Sequence, residues 1–306
     1  MLDDIFTASV GASAIRLAVS YIYAALGETF GQRSGVLNLG VDGMMLMGAF
    51  FAFYTVYETG NLLLGVLAGL AIGALMGLAM AFISVTLQAE QGISGIGVYL
   101  FGLGISELLF QQLLGTPRNV QGFPRIDFPV LTDLPVLGTI FFNHNLLVYV
   151  AFLLVPICAF VMNKTTFGLN IRAVGQNPEA ADAMGVSVAK VRYATVILGG
   201  IFAGMAGTYL AIGSLNTFQQ NLTAGQGFIA VALVYFGGWR AWGVVGGALL
   251  FTIVIAFQLQ LSLVYPEIPS EMALMAPYVV TIVVLIFAAK RTEQPTALTQ
   301  PFDRGE

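Results

Sequence analysis

Long apolar runs alternate with short polar connections along nearly the whole chain. The runs extend from Ser9 to Gly27, Gly43 to Tyr57, Leu62 to Leu87, Ile93 to Leu114, Leu146 to Met162, Tyr193 to Gly213, Leu222 to Phe236, Trp242 to Leu263 and Met272 to Ala289. They are too long and too uniformly apolar for the alternating strands of a membrane barrel, so the pattern predicts helices that satisfy their own backbone groups in lipid. Composition agrees: 58% of residues are apolar and 9% charged, against about 25% charged in soluble domains, and the mean hydropathy is +0.86. The expected fold is all-α, a single polytopic membrane domain over residues 1–306. At roughly 20 residues per span it has room for about eight to ten helices and for no sizeable soluble domain.

Two connections are long. Residues 115–145 carry Arg118, Arg125, Asp127 and Asp133 with four prolines, Pro117, Pro124, Pro129 and Pro135, and read as an irregular extracytoplasmic loop. Residues 163–192 hold Lys164, Arg172, Lys190 and Arg192, whereas Leu146 to Met162 before them and Tyr193 to Trp239 after them have no formal charge. Such an excess of Lys and Arg in a short loop places it on the cytoplasmic face. The tail, with Lys290, Arg291 and Arg304, belongs on the same side by the same rule. An even number of crossings must then separate loop and tail, which requires the weak run Leu222 to Phe236 to cross with its three stronger neighbours. Counting backward puts Arg33 inside and the acidic Asp3 and Asp4 outside; Arg16 within the first run and a re-entrant turn near Gly35 are the features that would reverse that end.

Two runs are too short for simple spans. Gly43 to Tyr57 is 15 residues, about 22 Å at the helical rise against a hydrocarbon core of about 30 Å. The preceding GVLNLGVDG, Gly35 to Gly43, must therefore lie partly at membrane depth, with Asn38 and Asp42 in it. Irregular backbone at that depth occurs only where it is buried in protein or lines a watery cavity, as in the broken helices of transporters. SLNTFQQNLTAGQG, Ser214 to Gly227, is a second such break, and the two hint at an internal duplication. Pathway candidates follow from cost, since ionisable and polar groups are expensive in a membrane. They are Asn38, Asp42, Glu107 and Gln226; for Glu28, Asp42 and Glu107, hydrogen bonds that tie helices together are an equal reading. Gly69, Gly73 and Gly77, four residues apart, suit close helix packing.

Other chemistry is sparse. No GxxxxGK[ST] phosphate loop is present, and none of the three lysines is preceded by the required glycines. His144 is the single histidine, expected at the surface of the outer loop; Cys158 is the single cysteine, in an apolar run, so no internal disulfide forms. A net charge of -4 argues against a nucleic-acid partner. The N-terminus lacks the cationic region of a signal peptide, so the first apolar run is expected to be retained.

Three stretches carry a resemblance: GETFGQRSGVLNLGVDGMMLMGA (Gly27 to Ala49), TFGLNIRAVGQNPEAADAMGV (Thr166 to Val186) with the following GGIFAGMAGTYLA (Gly199 to Ala211), and GQGFIAVALVYFGGWRAWGVVGGALLF (Gly225 to Phe251). They resemble the permease subunits of bacterial ABC importers for nucleosides and simple sugars, relatives of the ribose permease and, more distantly, of branched-chain amino-acid permeases. The resemblance implies a type II importer fold in a bacterial cytoplasmic (inner) membrane. It implies an ATP-binding cassette subunit that carries ATP and Mg, so that this chain needs no cofactor and is no enzyme. It also implies a second permease, related or identical, and an extracytoplasmic binding protein that delivers the nucleoside or sugar. The loop becomes the coupling helix, carried by Arg172, Gly175, Asn177, Pro178, Glu179, Ala180, Ala181 and Gly185. Local physics fits: Asn177 suits an N-cap, Pro178 a first helical position and Gly185 a C-terminal stop, and Glu179 complements the helix dipole. An autonomous ion-coupled transporter using Asp42 or Glu107, and an intramembrane enzyme, are the alternatives.

Overall fold

Six helices long and apolar enough to cross a membrane stand among the described residues. The structure, a computed structural model, describes residues 8–127, 137–264 and 294–304, with single positions at 275, 279 and 282. Apart from those three positions the last expected span, Met272 to Ala289, lies outside the described residues, as do Asp3, Asp4, Lys290, Arg291 and the middle of loop 115–145. The six are α1 (Ala8–Arg33), α3 (Leu62–Ala81), α4 (Gln91–Leu109), α6 (Leu146–Lys164), α9 (Val188–Thr208) and α11 (Ala241–Val264). Helices α3, α4 and α9 each end in a π turn, at Phe82–Thr86, Phe110–Leu114 and Tyr209–Ser214. Of the two runs expected to be too short, the first is extended at both ends into the 19-residue α2 (Val41–Thr59), as long as α6, and the second forms the 11-residue α10 (Gln226–Phe236). The remaining elements are short: β1 (Arg125–Asp127), α5 (Leu137–Phe141), β2 (Asn143–Asn145), α7 (Thr166–Gln176) and α8 (Pro178–Ala183).

Side-chain caps mark where several helices begin. Asn61 Oδ1 accepts from the N–H groups of Leu63 and Leu64 at 2.9 and 3.2 Å, ahead of α3. Glu90 accepts from Gly92 and Ile93 at 2.9 and 2.5 Å ahead of α4, and those N–H groups hold its carboxylate below the usual range.

Helices α1, α2 and α9 form the buried centre, whereas α3, α4 and α6 turn Leu67, Leu75, Phe101 and Phe160 outward, as lipid-facing surfaces require. The contact between α3 and α9 is a glycine seam. A Cβ on Gly73 would lie 2.3 Å from Gly200 O, and one on Gly204 would lie 2.3 Å from Gly69 O, so only glycine permits this approach. Gly77 meets Val196 and Gly200 in the next turn. Without a hydrophobic drive between helices in lipid, such close backbone packing supplies the association.

The two long connections lie at opposite ends of α9 and its π turn, about 40 Å apart at the helical rise. At the far end, Val120 N donates to Asn216 O at 2.9 Å and Phe123 N to Ile212 O at 3.1 Å. The described parts of loop 115–145 include a regular ribbon, in which β1 and β2 pair antiparallel in the register Arg125↔Asn145, Ile126↔His144 and Asp127↔Asn143. This corrects the expectation for His144. It is 2% exposed, paired with Ile126 in the ribbon, with Nε2 2.7 Å from Ile140 O of α5 and its ring against Tyr149. Burial pushes its pKa down.

Candidate functional site

The segment expected to couple is two helices joined at Asn177. Thr165 caps α7 by accepting from Gly168 N at 3.1 Å, and Ile171, Val174 and Gly175 face inward. Gly175 lies directly against the end of α1, where an added Cβ would meet Arg33 O at 2.0 Å. Asn177 Oδ1 then accepts from Ala180 N at 2.9 Å, Pro178 opens α8, and Gly185 ends it at φ +85°. Val186 N bonds Ala181 O at 3.0 Å and Gly185 N bonds Asp182 O at 2.9 Å, a Schellman stop. Ala181 is buried, while Glu179, Ala180 and Gly185 are exposed. Arg172 is half-buried and bonds Gly168 O of its own helix at 3.4 Å. Sequence reasoning missed Met184, 84% exposed at the end of α8. Its only signal is a large apolar residue directly before the glycine stop.

A second element missed in the sequence is the strap of residues 294–304, which lies on this loop. Thr296 Oγ1 donates to Gln176 O, Ala297 N to Gly175 O at 3.0 Å, and Thr299 N to Gly35 O at 3.0 Å. Arg304 pairs with Asp182 at 3.0 Å. Arg192 clamps both sides, donating from Nε to Ser34 O at 3.2 Å and from Nη1 to Gln300 O at 2.9 Å. Read from sequence as a loop charge, Arg192 is in fact 1% exposed, because the strap covers it.

The two breaks meet inside the bundle. After α1 the backbone is non-helical from Ser34 to Gly40; Asn38 Oδ1 accepts from Gly40 N at 2.9 Å, and Asn38 N donates to Glu28 Oε1 at 3.0 Å. Glu28 also accepts from Gln32 Nε2 at 3.1 Å, and Gln32 Oε1 accepts from Trp239 Nε1 at 2.9 Å. In the first turn of α2, Asp42 Oδ1 accepts from Gly227 N at 2.7 Å and Oδ2 from Thr223 Oγ1 at 2.9 Å. Ser20 Oγ donates to the neighbouring Gln226 Oε1 at 2.9 Å, about 20 Å along α1 from Arg33. The N-termini of the 19-residue α2 and of the 11-residue α10 thus share one carboxylate. Asn38 and Asp42 are buried and bonded to protein, and Gln226 is half-buried beside them. Glu107 stands elsewhere, half-buried on α4, with Gln111 Nε2 at 3.4 Å from its carboxylate.

Residues 12–288 match the family described as the permease component of the branched-chain amino acid transport system. The chain belongs to that permease family. It is 38% identical, over 98% of both chains, to a putative glucose ABC transporter permease protein of Haloferax volcanii. It is 36% identical, over 94% of both chains, to the guanosine ABC transporter permease protein NupQ of Bacillus subtilis. A nucleoside ABC transporter permease protein of Lactococcus lactis is 34% identical over 90% of both chains. No solved structure matches the chain. This permease is a multi-pass membrane transport subunit of the ABC class, and its relatives imply an ATP-binding subunit and a solute-binding protein as general partners. They do not support the ion-coupled alternative.

Proposed function

We propose that this permease forms the translocation pathway of an ATP-driven importer in a bacterial cytoplasmic membrane, and that it accepts a nucleoside or simple sugar from an extracytoplasmic binding protein. Loop 163–192 faces the cytoplasm and loop 115–145 the opposite side. ATP and Mg reside on a separate ATP-binding cassette subunit that seats on α8, and a second permease, related or identical, completes the pathway. The observation that carries this reading is the construction of α8: capped at both ends, exposed on Glu179, Ala180 and Met184, and anchored through Gly175 to the turn that begins the first break. Within the pathway, half-buried Gln226 and Glu107 meet solute, and Asn38 and Asp42 hold the break in place. The guanosine, nucleoside and glucose permeases among the relatives define the solute classes to test. Proteoliposomes carrying the purified complex and its binding protein should take up labelled guanosine or glucose only when ATP is supplied to the cytoplasmic side. Uptake driven by a sodium or proton gradient without ATP would overturn the reading.

A further inference from the structure

Between α8 and the strap lies a cavity of about 430 Å³. One wall is Asn177, Pro178 and Glu179; the other is Gln300, Phe302 and Asp303. The lining residues include two carboxylates, Glu179 and Asp303, and no basic side chain. Both walls are held by bonds within the chain. Asn177 and the Schellman stop fix α8, and the strap is fixed by the backbone bonds of Ala297 and Thr299 and by Arg192.

We propose that the strap is the second wall of the docking groove for the ATP-binding subunit, and that this groove receives a cationic side chain of that subunit between Glu179 and Asp303, laid against the Phe302 ring. The proposal rests on the coupling reading of α8 and goes beyond it by assigning residues about 120 positions later in the chain to the same interface. Charge complementarity selects the occupant. A lysine or arginine can pair with a carboxylate on each wall, and a guanidinium adds a face for the aromatic ring. A groove assembled before the partner arrives needs little further ordering on binding, so a single side chain has more of its interaction left to contribute. Because Thr299 and Arg192 tie the strap to Ser34 and Gly35, a side chain seated here bears on α8 and on the first break together.

The test uses the full-length tagged permease and the ATP-binding subunit that purifies with it, quantified by mass spectrometry and by ATPase activity. Asp303→Lys and Phe302→Ala should each lower retention of the subunit at least tenfold, while Phe302→Tyr retains it and the elution profile of the permease in detergent is unchanged. In a Cys158→Ser background, Asp303→Cys labelled with a photoactivated maleimide should crosslink to the subunit at a peptide containing arginine or lysine. Retention within twofold for both strap variants, with loss for Glu179→Lys, would overturn the strap proposal and leave the coupling reading standing. Full retention for Glu179→Lys as well would overturn both.

Discussion

Asp42 offers a clean separation between a structural pin and a solute contact. In Asp42→Ala the Gly227 N–H and the Thr223 hydroxyl lose their acceptor in a site closed to water. A buried donor left unpaired costs about 1–3 kcal/mol, which would give about 2–6 kcal/mol for the pair. Interhelical hydrogen bonds measured in membranes average only about 0.6 kcal/mol, because the unfolded chain in lipid also finds partners. Two such bonds set the lower end near 1 kcal/mol. The upper part of the range is favoured here because one donor is a backbone N–H in the first turn of α10, where no intrahelical partner exists. Asp42→Asn keeps one acceptor and turns an NH2 toward the other donor, so it should lose about half as much. Combining Asp42→Ala with Thr223→Val should be less damaging than the sum, since the second change then removes an already unpaired group. Reversible unfolding in mixed micelles of SDS, followed by tryptophan fluorescence, reads these differences; Trp239 bonds Gln32 close to the break. The reasoning fails if Asp42→Ala unfolds within about 0.5 kcal/mol of the native chain yet abolishes uptake, which would make Asp42 a solute contact.

Gly200→Ala should destabilise by about 1–3 kcal/mol, the usual cost of overpacking, because its methyl would sit 2.3 Å from Gly73 O; a shift in thermal midpoint in detergent reads it, and an unchanged midpoint refutes the seam. For His144 the folded pKa is depressed by burial, so the unfolded chain binds the proton more readily. Its contribution should be complete above the ordinary histidine range, fall as pH drops through that range, and vanish from the pH profile of stability in His144→Gln. Arg192→Leu removes a buried guanidinium whose Nη2 has no hydrogen-bond partner. Loss of that desolvated charge should keep stability within about 1–2 kcal/mol of the native chain, while the strap becomes accessible to protease.

Legibility in this chain follows the range of the interaction. The helix α8 can be read directly from Asn177, Pro178 and Gly185, because an N-cap, a fixed φ and a positive φ are properties of single residues. Spans are equally readable, because apolar length answers to the thickness of lipid. Arg192 and His144 mislead for the opposite reason. Charge and loop position both predict exposure, and what buries them is a strap bonded at a separation of 108 residues and a strand pairing across the outer loop. The break at Gly35 to Gly43 is visible as a glycine cluster beside a short apolar run. Its partner is not, since Asp42 reaches Thr223 and Gly227 across 181 and 185 residues. No periodicity encodes that meeting.

Local and distant contacts together set the order in which a displacement of α8 would travel. Gly175 brings α7 against Arg33 O, and the strap bonds Gly175 O and Gly35 O through Ala297 N and Thr299 N, two residues apart. These points are therefore held as one body, and a force on α8 reaches the Gly35 turn without first deforming a helix. Beyond the turn the segment is tied to α1 by Val36 N to Gly31 O and Asn38 N to Glu28 Oε1, both at 3.0 Å, and to the start of α4 by Leu37 N to Gln91 Oε1 at 2.8 Å, and Asp42 is held by two bonds to Thr223 and the start of α10. Densely packed interiors move between discrete arrangements rather than stretching continuously. A displacement passed through the Gly35 turn should therefore reach α1 and α4 through the segment's own bonds, and α10 through Asp42, as one rearrangement.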